Sequence, residues 1–368
     1  MIGENGMSLR LMGCGCGSGR RGMPDNRVLH TDGGCGDSRN QVKNAAVLRL
    51  PPVQGRRKVM ISKTVLRWLT LVALVGLSLG VMVPAALATD ITACPFTISS
   101  PGTFDVTKNL TATGTSCIKV HSDNVAIDLK GHTITGDKTV GHHGITDEGL
   151  FFVTGVAIAN GKIKDFADGI GFFGDCCDSS HVITITHVDS SDNKFDGIFI
   201  EGSDNALTDV RANRNGEDGI DLGDSSDNLI TNSQANDNTS SGIFADSHNA
   251  VSNVRTIHDG GSGMFFDGFD NVVTKSTASN NTGDGMEFDD DDNRVSDSTA
   301  NDNTVVGMDL HFCCNNTVTK VTANHNATGV VISCDGGHGN AVRVSAHNNS
   351  VKNLSEIGTC TDLLNNAP

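Results

Sequence analysis

The chain has 368 residues, of which 27 are Lys or Arg and 43 are Asp or Glu, so its formal net charge at pH 7 is −16. This charge is unevenly distributed. Residues 1–88 contain 12 basic and 4 acidic residues, whereas the remainder contains 15 basic and 39 acidic residues. A surface this acidic repels nucleic acids and anionic membranes. The composition therefore excludes nucleic-acid binding and, once the basic segment is removed, membrane binding.

The basic N-terminal segment has the pattern of an export signal. Met60 is followed by Lys63 and Arg67, an apolar run over residues 68–83, and Ala-Leu-Ala at 86–88. This order is typical of a secretory signal peptide over residues 60–88 with cleavage after Ala88, whereas a membrane anchor needs a longer apolar run. Residues 1–59 precede the signal and show no periodicity, so we expect translation to start at Met60 and the mature protein to lack them. The sequence thus predicts a secreted or periplasmic protein.

From residue 197 onward, a glycine followed by an apolar residue recurs with successive spacings of 22, 23, 21, 22, 22 and 22 residues. Apolar and polar residues alternate after each glycine, and a second strand follows an asparagine that tolerates left-handed backbone and can stack into an amide ladder. Three short strands fill the period and leave no room for a helix, so each strand must pair with its equivalent in the next repeat. This predicts an all-β solenoid of three parallel sheets. The glycines are Gly197, Gly219, Gly242, Gly263, Gly285, Gly307 and Gly329, and the asparagines are Asn205, Asn228, Asn249, Asn271, Asn293, Asn316 and Asn340.

With these repeats, the chain resembles the right-handed parallel β-helix family, whose repeats occur in pectate lyases, polygalacturonases, alginate epimerases and NosD-like periplasmic proteins. The resemblance extends over roughly residues 94–345. It implies a single-stranded right-handed parallel β-helix of about ten coils. We expect an N-terminal cap over residues 89–116, repeats over 117–345, and a C-terminal cap or tail over 346–368.

Eight cysteines follow the signal, an even number that suggests disulfides in an exported chain. Cys94 with Cys117 would close the N-terminal end of the solenoid, and Cys334 with Cys360 the C-terminal end. Two adjacent pairs, at 176–177 and 313–314, leave vicinal disulfides and soft-metal binding both open.

The alternation after each glycine also predicts which side chains point outward, and the resemblance implies that an active site lies on this face. The outward residues are acidic with interleaved phenylalanines. Such acids can bind Ca²⁺, act as general acid and base on a glycosidic bond, or form a merely solvated surface. The candidate metal ligands are Glu287, Asp289, Asp290 and Asp309, the candidate catalytic residues are Asp267, Asp289, Asp309 and His311, and the candidate ligand-binding residues are Phe199, Phe244 and Phe265.

The sequence favours an exported binding or structural module that takes an extracellular polysaccharide or Ca²⁺ on this acidic face. The alternative is a polysaccharide-active enzyme, a lyase or a hydrolase, centred on Asp289. The order Asp267, Asp289-Asp290, His311 on successive coils is similar to polygalacturonases, but the Asn-Thr-Asp and Gly-His-Gly motifs of that family are missing at Asp267 and His311. The outward positions also carry no Lys or Arg to serve as a lyase base.

Overall fold

A computed structural model describes residues 88–149, 152–174, 181–310, 315–333, 340–357 and 364–365. These residues form short parallel strands in three sheets, and none of them is in a helix. Each strand pairs with its equivalents in the neighbouring coils, so the sheets run along the solenoid axis. The prediction of an all-β parallel β-helix of about ten coils is confirmed.

The strands that follow the repeat glycines form a 12-stranded sheet, which we call the glycine sheet. Ten of these strands lie within residues 117–345, and one more lies beyond each end. The strands are Phe96–Ile98, Ile118–Val120, Ile145–Thr146, Ile170–Phe172, Ile198–Ile200, Ile220–Leu222, Ile243–Ala245, Met264–Phe266, Met286–Phe288, Val306–Leu310, Thr328–Ser333 and Lys352–Ile357.

The strands that follow the turn asparagines belong to a 15-stranded sheet, the asparagine sheet, and a small third sheet completes the coil. The asparagine sheet contains Thr89–Ile91, Gly102–Val106, Leu110–Thr111, Val125–Asp128, Thr133–Thr135, Val156–Lys164, Ile183–Ser190, Ala206–Thr208, Leu229–Thr231, Ala250–Ser252, Val272–Thr274, Arg294–Ser296, Thr317–Thr322, Asn340–Ser345 and Leu364–Asn365. The third sheet contains Gln234–Asn236, Arg255–Ile257 and Thr277–Ser279.

Residues 89–116, for which we expected a cap, carry strands that pair with the next coil. Thr89–Ile91 pairs with Gly102–Val106, and Phe96–Ile98 pairs with Ile118–Val120. Residues 1–87 lie outside the described part of the chain, so capping by the 89–116 segment stays a prediction.

The core is built from columns of equivalent apolar side chains, one per coil. Ile198, Ile220 and Ile243 follow successive glycines, and each is fully buried. Phe266 and Phe288 stack nearly parallel, with ring centroids 4.9 Å apart. Because the chain repeats the same side-chain type at the same position, each coil buries its apolar face against its neighbours.

Two ladders of buried side chains follow the turns, as the sequence predicts, and every member is an asparagine except Asp259. In each ladder, the Oδ1 atom of one residue accepts a hydrogen bond from the backbone N–H of its counterpart one coil earlier, at 2.7–3.1 Å. The first ladder is Asn205, Asn228, Asn249, Asn271, Asn293 and Asn316, and the second is Asn193, Asn215, Asn238, Asp259, Asn281, Asn303 and Asn326.

The left-handed backbone does not fall on the ladder asparagines, where we expected it, but on the residue before each of them. Asp204 has φ 64° and precedes Asn205, and Asp227 has φ 58° and precedes Asn228. The left-handed residue makes the exposed corner of the turn, and the asparagine after it directs its amide inward along the ladder.

The repeat glycines are required by space. At Gly263, a Cβ atom would lie 2.5 Å from the Asn281 amide nitrogen and 2.7 Å from the Gly285 carbonyl oxygen. Because both atoms belong to the next coil, a larger residue here would push adjacent coils apart.

Cys94 and Cys117 form the predicted disulfide, with Cα atoms 4.6 Å apart, and it links the first two coils. Cys334 and Cys360 lie outside the described residues, as do the pairs at 176–177 and 313–314 and the predicted signal up to residue 87. Among the residues that the structure describes, no helix is long and apolar enough to span a membrane.

Candidate functional site

The residues at the second position after each glycine form one continuous column on the outside of the glycine sheet, which we call the outer column. The strand register pairs Phe199 with Asp221 and Asp221 with Phe244, and continues in the same way to Asp309. The sequence alternation therefore identifies this face correctly. The column contains Gly171, Phe199, Asp221, Phe244, Phe265, Glu287 and Asp309.

The phenylalanines of this face lie in two pairs. Phe244 and Phe265 are neighbours in the outer column, with ring centroids 5.3 Å apart. Phe199 pairs instead with Phe173, at 5.2 Å, and Asp221 separates the two pairs. The rings are only partly buried, so each pair offers an aromatic surface to solvent. Phe173 belongs to a coil before the regular repeat, and for that reason the sequence did not single it out.

A second row of polar residues lies beside the outer column, directly before the glycines. Asp168, Asp196 and Asp218 occupy this position on three successive coils. Asp168 accepts a hydrogen bond from the backbone N–H of Asp196 at 3.1 Å, and Asp196 accepts one from Asp218 at 2.8 Å. The sequence analysis did not predict this row, although the recurrence of Asp directly before several repeat glycines could have indicated it.

Three carboxylates from these two rows converge in what we call the acidic cluster. One oxygen from each of Asp196, Asp218 and Asp221 lies within 4.8 Å of the others. Asp196 and Asp221 are each only 6% exposed. Burial raises the pKa of Asp196 well above its usual value, and the neighbouring carboxylates of Asp221, Asp168 and Asp218 raise it further. Such a cluster must hold a proton or a cation, and its all-oxygen donors suit a hard metal ion.

His143 borders the row on the N-terminal side. Its Nδ1 atom lies 3.1 Å from Asp168 Oδ2, and its ring packs edge-on against Phe173 at 5.1 Å. The histidine therefore connects the acids to the first aromatic pair. The sequence periodicity could not predict this position, because both contacts of His143 are with residues of another coil.

The residues predicted for a metal or catalytic site lie further along the same face and form two groups. Glu287 and Asp309 are register partners in the outer column. Glu287 accepts a hydrogen bond from the Ser262 hydroxyl at 2.7 Å, and Asp309 is 7% exposed. His311 lies outside the described residues, so the predicted Asp–His constellation stays a prediction.

The second group flanks the outer column at the fourth position after each glycine. Burial raises the pKa of Asp246 and of Asp267, and in both cases the carboxylates of Asp290 and Asp224 contribute. Asp289 belongs to the same row and is partly buried. The acidic cluster lies nearer the N-terminus than the predicted metal ligands: Asp221 is three coils before Glu287 and four coils before Asp309. The predicted ligands Glu287, Asp289, Asp290 and Asp309 stay a prediction.

Comparison with known proteins agrees with this architecture. A family model described as the right-handed beta helix region matches residues 106–255 and 176–361. The chain belongs to the right-handed β-helix family. A search of curated protein sequences found no match to this β-helix protein.

Among solved structures, this β-helix protein is similar to two mannuronan C-5 epimerase A-modules from Azotobacter vinelandii. The AlgE6 module has 12% identity and a TM-score of 0.58, with 71% of this chain and 88% of that chain covered. The AlgE4 module has 14% identity and a TM-score of 0.51, with 72% and 79% covered. Pectate lyase Pel9A has 18% identity and a TM-score of 0.49, with 63% and 70% covered. At these identities, the likeness to the AlgE6 and AlgE4 modules shows the fold alone.

Proposed function

We propose that this β-helix protein is exported and binds an extracellular polysaccharide along the outer column, with Ca²⁺ in the acidic cluster. The observation that carries this proposal is the continuity of the outer column, along which two partly buried aromatic pairs flank Asp221 of the acidic cluster. A linear polymer can follow such a column because its sites repeat once per coil, every ~4.8 Å.

The chemistry of the face suits sugar rings. The Phe173–Phe199 and Phe244–Phe265 pairs offer flat apolar surface to the C–H faces of a sugar, and carboxylates accept hydrogen bonds from its hydroxyls. Ca²⁺ takes six to eight oxygen ligands, so three carboxylates leave coordination positions that a polysaccharide can fill. The AlgE6 and AlgE4 modules are mannuronan C-5 epimerases, and mannuronan is a polysaccharide, which supports this ligand class.

Polysaccharide binding is tested by affinity electrophoresis of the full chain in gels containing alginate, pectate or a neutral glucan. We expect retardation in at least one gel and its loss in Phe244→Ala/Phe265→Ala. Phe269→Ala is the matched control, because Phe269 is 42% exposed but lies in a turn away from the outer column. Equal retardation of both variants would contradict the proposed binding face.

Cation binding is tested by calorimetric titration of Ca²⁺ into the protein. We expect one saturable site that disappears in Asp218→Asn/Asp221→Asn and persists in Asp237→Asn/Asp302→Asn. The control carboxylates are each 52% exposed and directly precede the ladder residues Asn238 and Asn303, so that variant removes the same charge and keeps all three carboxylates of the cluster. No heat of binding in the wild type would exclude the metal.

Export is the third part of the proposal. Its support is the signal pattern over residues 60–88. Expression in a bacterial host followed by N-terminal sequencing of the exported form should give a chain that begins at Thr89. A chain found only in the cytoplasm, with residues 60–88 retained, would contradict it.

A second candidate function is cleavage or epimerisation of the same polysaccharide. The observation that favours it is Asp196, a buried carboxyl beside three other carboxyl groups, whose pKa burial and these neighbours raise well above its usual value. A raised pKa favours the protonated form, which a general acid requires. Product analysis after incubation with alginate or pectate should show new ends or an altered uronate composition, and Asp196→Asn should abolish them. If Asp289→Asn abolishes them and Asp196→Asn does not, the chemistry belongs to the predicted patch instead.

A further inference from the structure

One inward position of the glycine sheet carries an acid where neighbouring coils carry apolar residues. Ile145 and Thr146 pair with Ile170 and Gly171, so the next residue, Asp147, occupies the position of Phe172. Its side chain is fully buried. The Oδ1 atom of Asp147 accepts hydrogen bonds from the backbone N–H groups of Gly149 and Phe173, both at 3.1 Å.

The other oxygen of Asp147 faces a buried histidine. Asp147 Oδ2 lies 3.9 Å from His181 Nε2, and the two side chains are 0% and 1% exposed. Neither atom has a hydrogen-bond partner within the part of the chain that the structure describes. Two buried polar atoms without hydrogen bonds lower the stability of the folded state, so the arrangement requires an explanation.

The hydrogen bond on the far side of the imidazole supplies that explanation. His181 Nδ1 bonds the backbone carbonyl oxygen of Glu201. A carbonyl oxygen can only accept, so Nδ1 carries the hydrogen and Nε2 of the neutral ring is an acceptor. The carboxylate oxygen of Asp147 is also an acceptor. Two acceptors facing each other cannot bond, but one proton added to either of them creates a donor and satisfies both.

We propose that Asp147 and His181 form a buried proton-binding site that holds one shared proton at neutral pH, and that this proton secures the N-terminal end of the outer face. Burial raises the pKa of Asp147 to about 6 and lowers the pKa of His181. Burial thus drives each group towards its neutral form, in which Asp147 carries a proton and Nε2 of His181 accepts one. The hydrogen bond that this proton makes between Oδ2 and Nε2 forms only in the protonated pair, so it raises the proton affinity of the pair above that of the buried Asp147 alone.

The other charged groups near the pair leave this assignment unchanged. On one side, the Ile170–Phe172 strand carries no titratable side chain. Lys119, on the strand of the other side, pairs with Glu148 at 2.7 Å. The carboxylate of Glu201 raises the pKa of Asp147 and so favours proton retention.

The link to the outer face is direct. The Asp147 side chain accepts from the N–H of Phe173, whose ring contacts His143 and Phe199. Loss of the shared proton places a buried carboxylate against an imidazole lone pair and weakens this end of the face. The consequence that ligand affinity falls at alkaline pH rests on the proposed function. The proton site itself does not, because it is measured without a ligand.

The test is amide hydrogen exchange of the full chain between pH 3 and pH 9, read as protection factors of Phe173 and Gly149. When this region opens, Asp147 and His181 return to ordinary pKa values of about 3.9 and 6.5. Between these values the closed and open states bind one proton each, so protection should be constant. Above pH 6.5 only the closed state keeps the proton, and protection should fall by up to about tenfold per pH unit until the closed state loses it.

Asp147→Asn separates this proposal from a general alkaline weakening. The amide Nδ2 donates permanently to His181 Nε2, so the fall above pH 6.5 should disappear, and protection should fall below pH 6.5 instead, as the exposed histidine protonates. An unchanged alkaline fall in this variant would overturn the proposal, as would flat wild-type protection from pH 6.5 to 9. If the variant does not fold, NMR titration of the wild-type His181 ring decides: a single step at an ordinary pKa of about 6.5 would refute the shared proton.

Discussion

Asp259 interrupts the second amide ladder, and replacing it should stabilise the protein. Its Oδ1 atom accepts from the backbone N–H and the side-chain amide of Asn238, at 2.9 and 3.0 Å. Its Oδ2 atom is buried and has no hydrogen-bond partner among the described residues. In equivalent coils, the Nδ2 of Asn303 donates to the Ala278 carbonyl, and the Nδ2 of Asn326 to the Ala300 carbonyl. Asp259 thus places an acceptor where the ladder needs a donor.

The size of the effect follows from the pKa of Asp259. Burial raises this pKa from 3.8 to about 8, and the side chain is 1% exposed. The folded state therefore keeps a proton that the unfolded chain releases above its pKa of 3.8. The free energy of unfolding falls as pH rises from that value to about 8, by roughly 1.4 kcal/mol per pH unit. At pH 7 the loss is on the order of 4 kcal/mol. With Asn at position 259, the free energy of unfolding has no such dependence on pH.

The assay is thermal unfolding of wild type and Asp259→Asn, followed by circular dichroism from pH 5 to pH 8. We expect the variant to melt at a higher temperature throughout, with the difference widening as pH rises. Asn281→Asp is the matched control, because it introduces the same carboxyl one coil further along the ladder and should lower the melting temperature most at pH 8. A difference between wild type and Asp259→Asn that does not vary with pH, or a less stable variant at pH 8, would refute the reasoning.

Three further predictions concern the scaffold. Gly263→Ala places a Cβ atom 2.5 Å from the Asn281 amide and should prevent the adjacent coils from closing, seen as loss of cooperative melting, while Ser262→Ala should not. Phe288→Ala removes a fully buried stacked ring and should lower the free energy of unfolding by about 3–5 kcal/mol in denaturant titration; a loss below 1 kcal/mol would show that the core refills the cavity. Cys94→Ser opens a disulfide that spans 23 residues and should cost about 3 kcal/mol, detected as early proteolysis of the first coil, with an equal loss on reduction of the wild type.

The regular part of the fold was predictable because a fixed period and a fixed alternation determine the register. Once glycines recur every 22 residues or so, equivalent positions must stack, and the outward column from Phe199 to Asp309 follows directly. The turn backbone was predicted one residue too late. Asparagine was favoured for left-handed geometry, but the ladder needs its amide inside, so the exposed residue before it takes that conformation.

The parts of the site that the sequence did not reveal depend on contacts between rows or lie where the period is irregular. Asp196 and Asp218 precede their glycines, and their convergence with Asp221 joins residues of two different rows. Phe173 and Asp147 belong to the coils before residue 197, where the spacing of 28 residues between Gly169 and Gly197 hides the alignment. The outward positions alone therefore did not identify this cluster, because two of its three carboxylates precede the glycines.

The in-register stacking of the glycine sheet fixes the spacing of features along the outer face. Features on it are separated by whole numbers of coils, so their distances change only in steps of ~4.8 Å. The two aromatic pairs stand on either side of the coil that contributes Asp221, and no side-chain rearrangement can alter that interval. Duplication or deletion of one coil would move them by one full step while leaving every ladder intact. Changes in coil number at the level of the gene thus alter the spacing of these surface features in discrete steps.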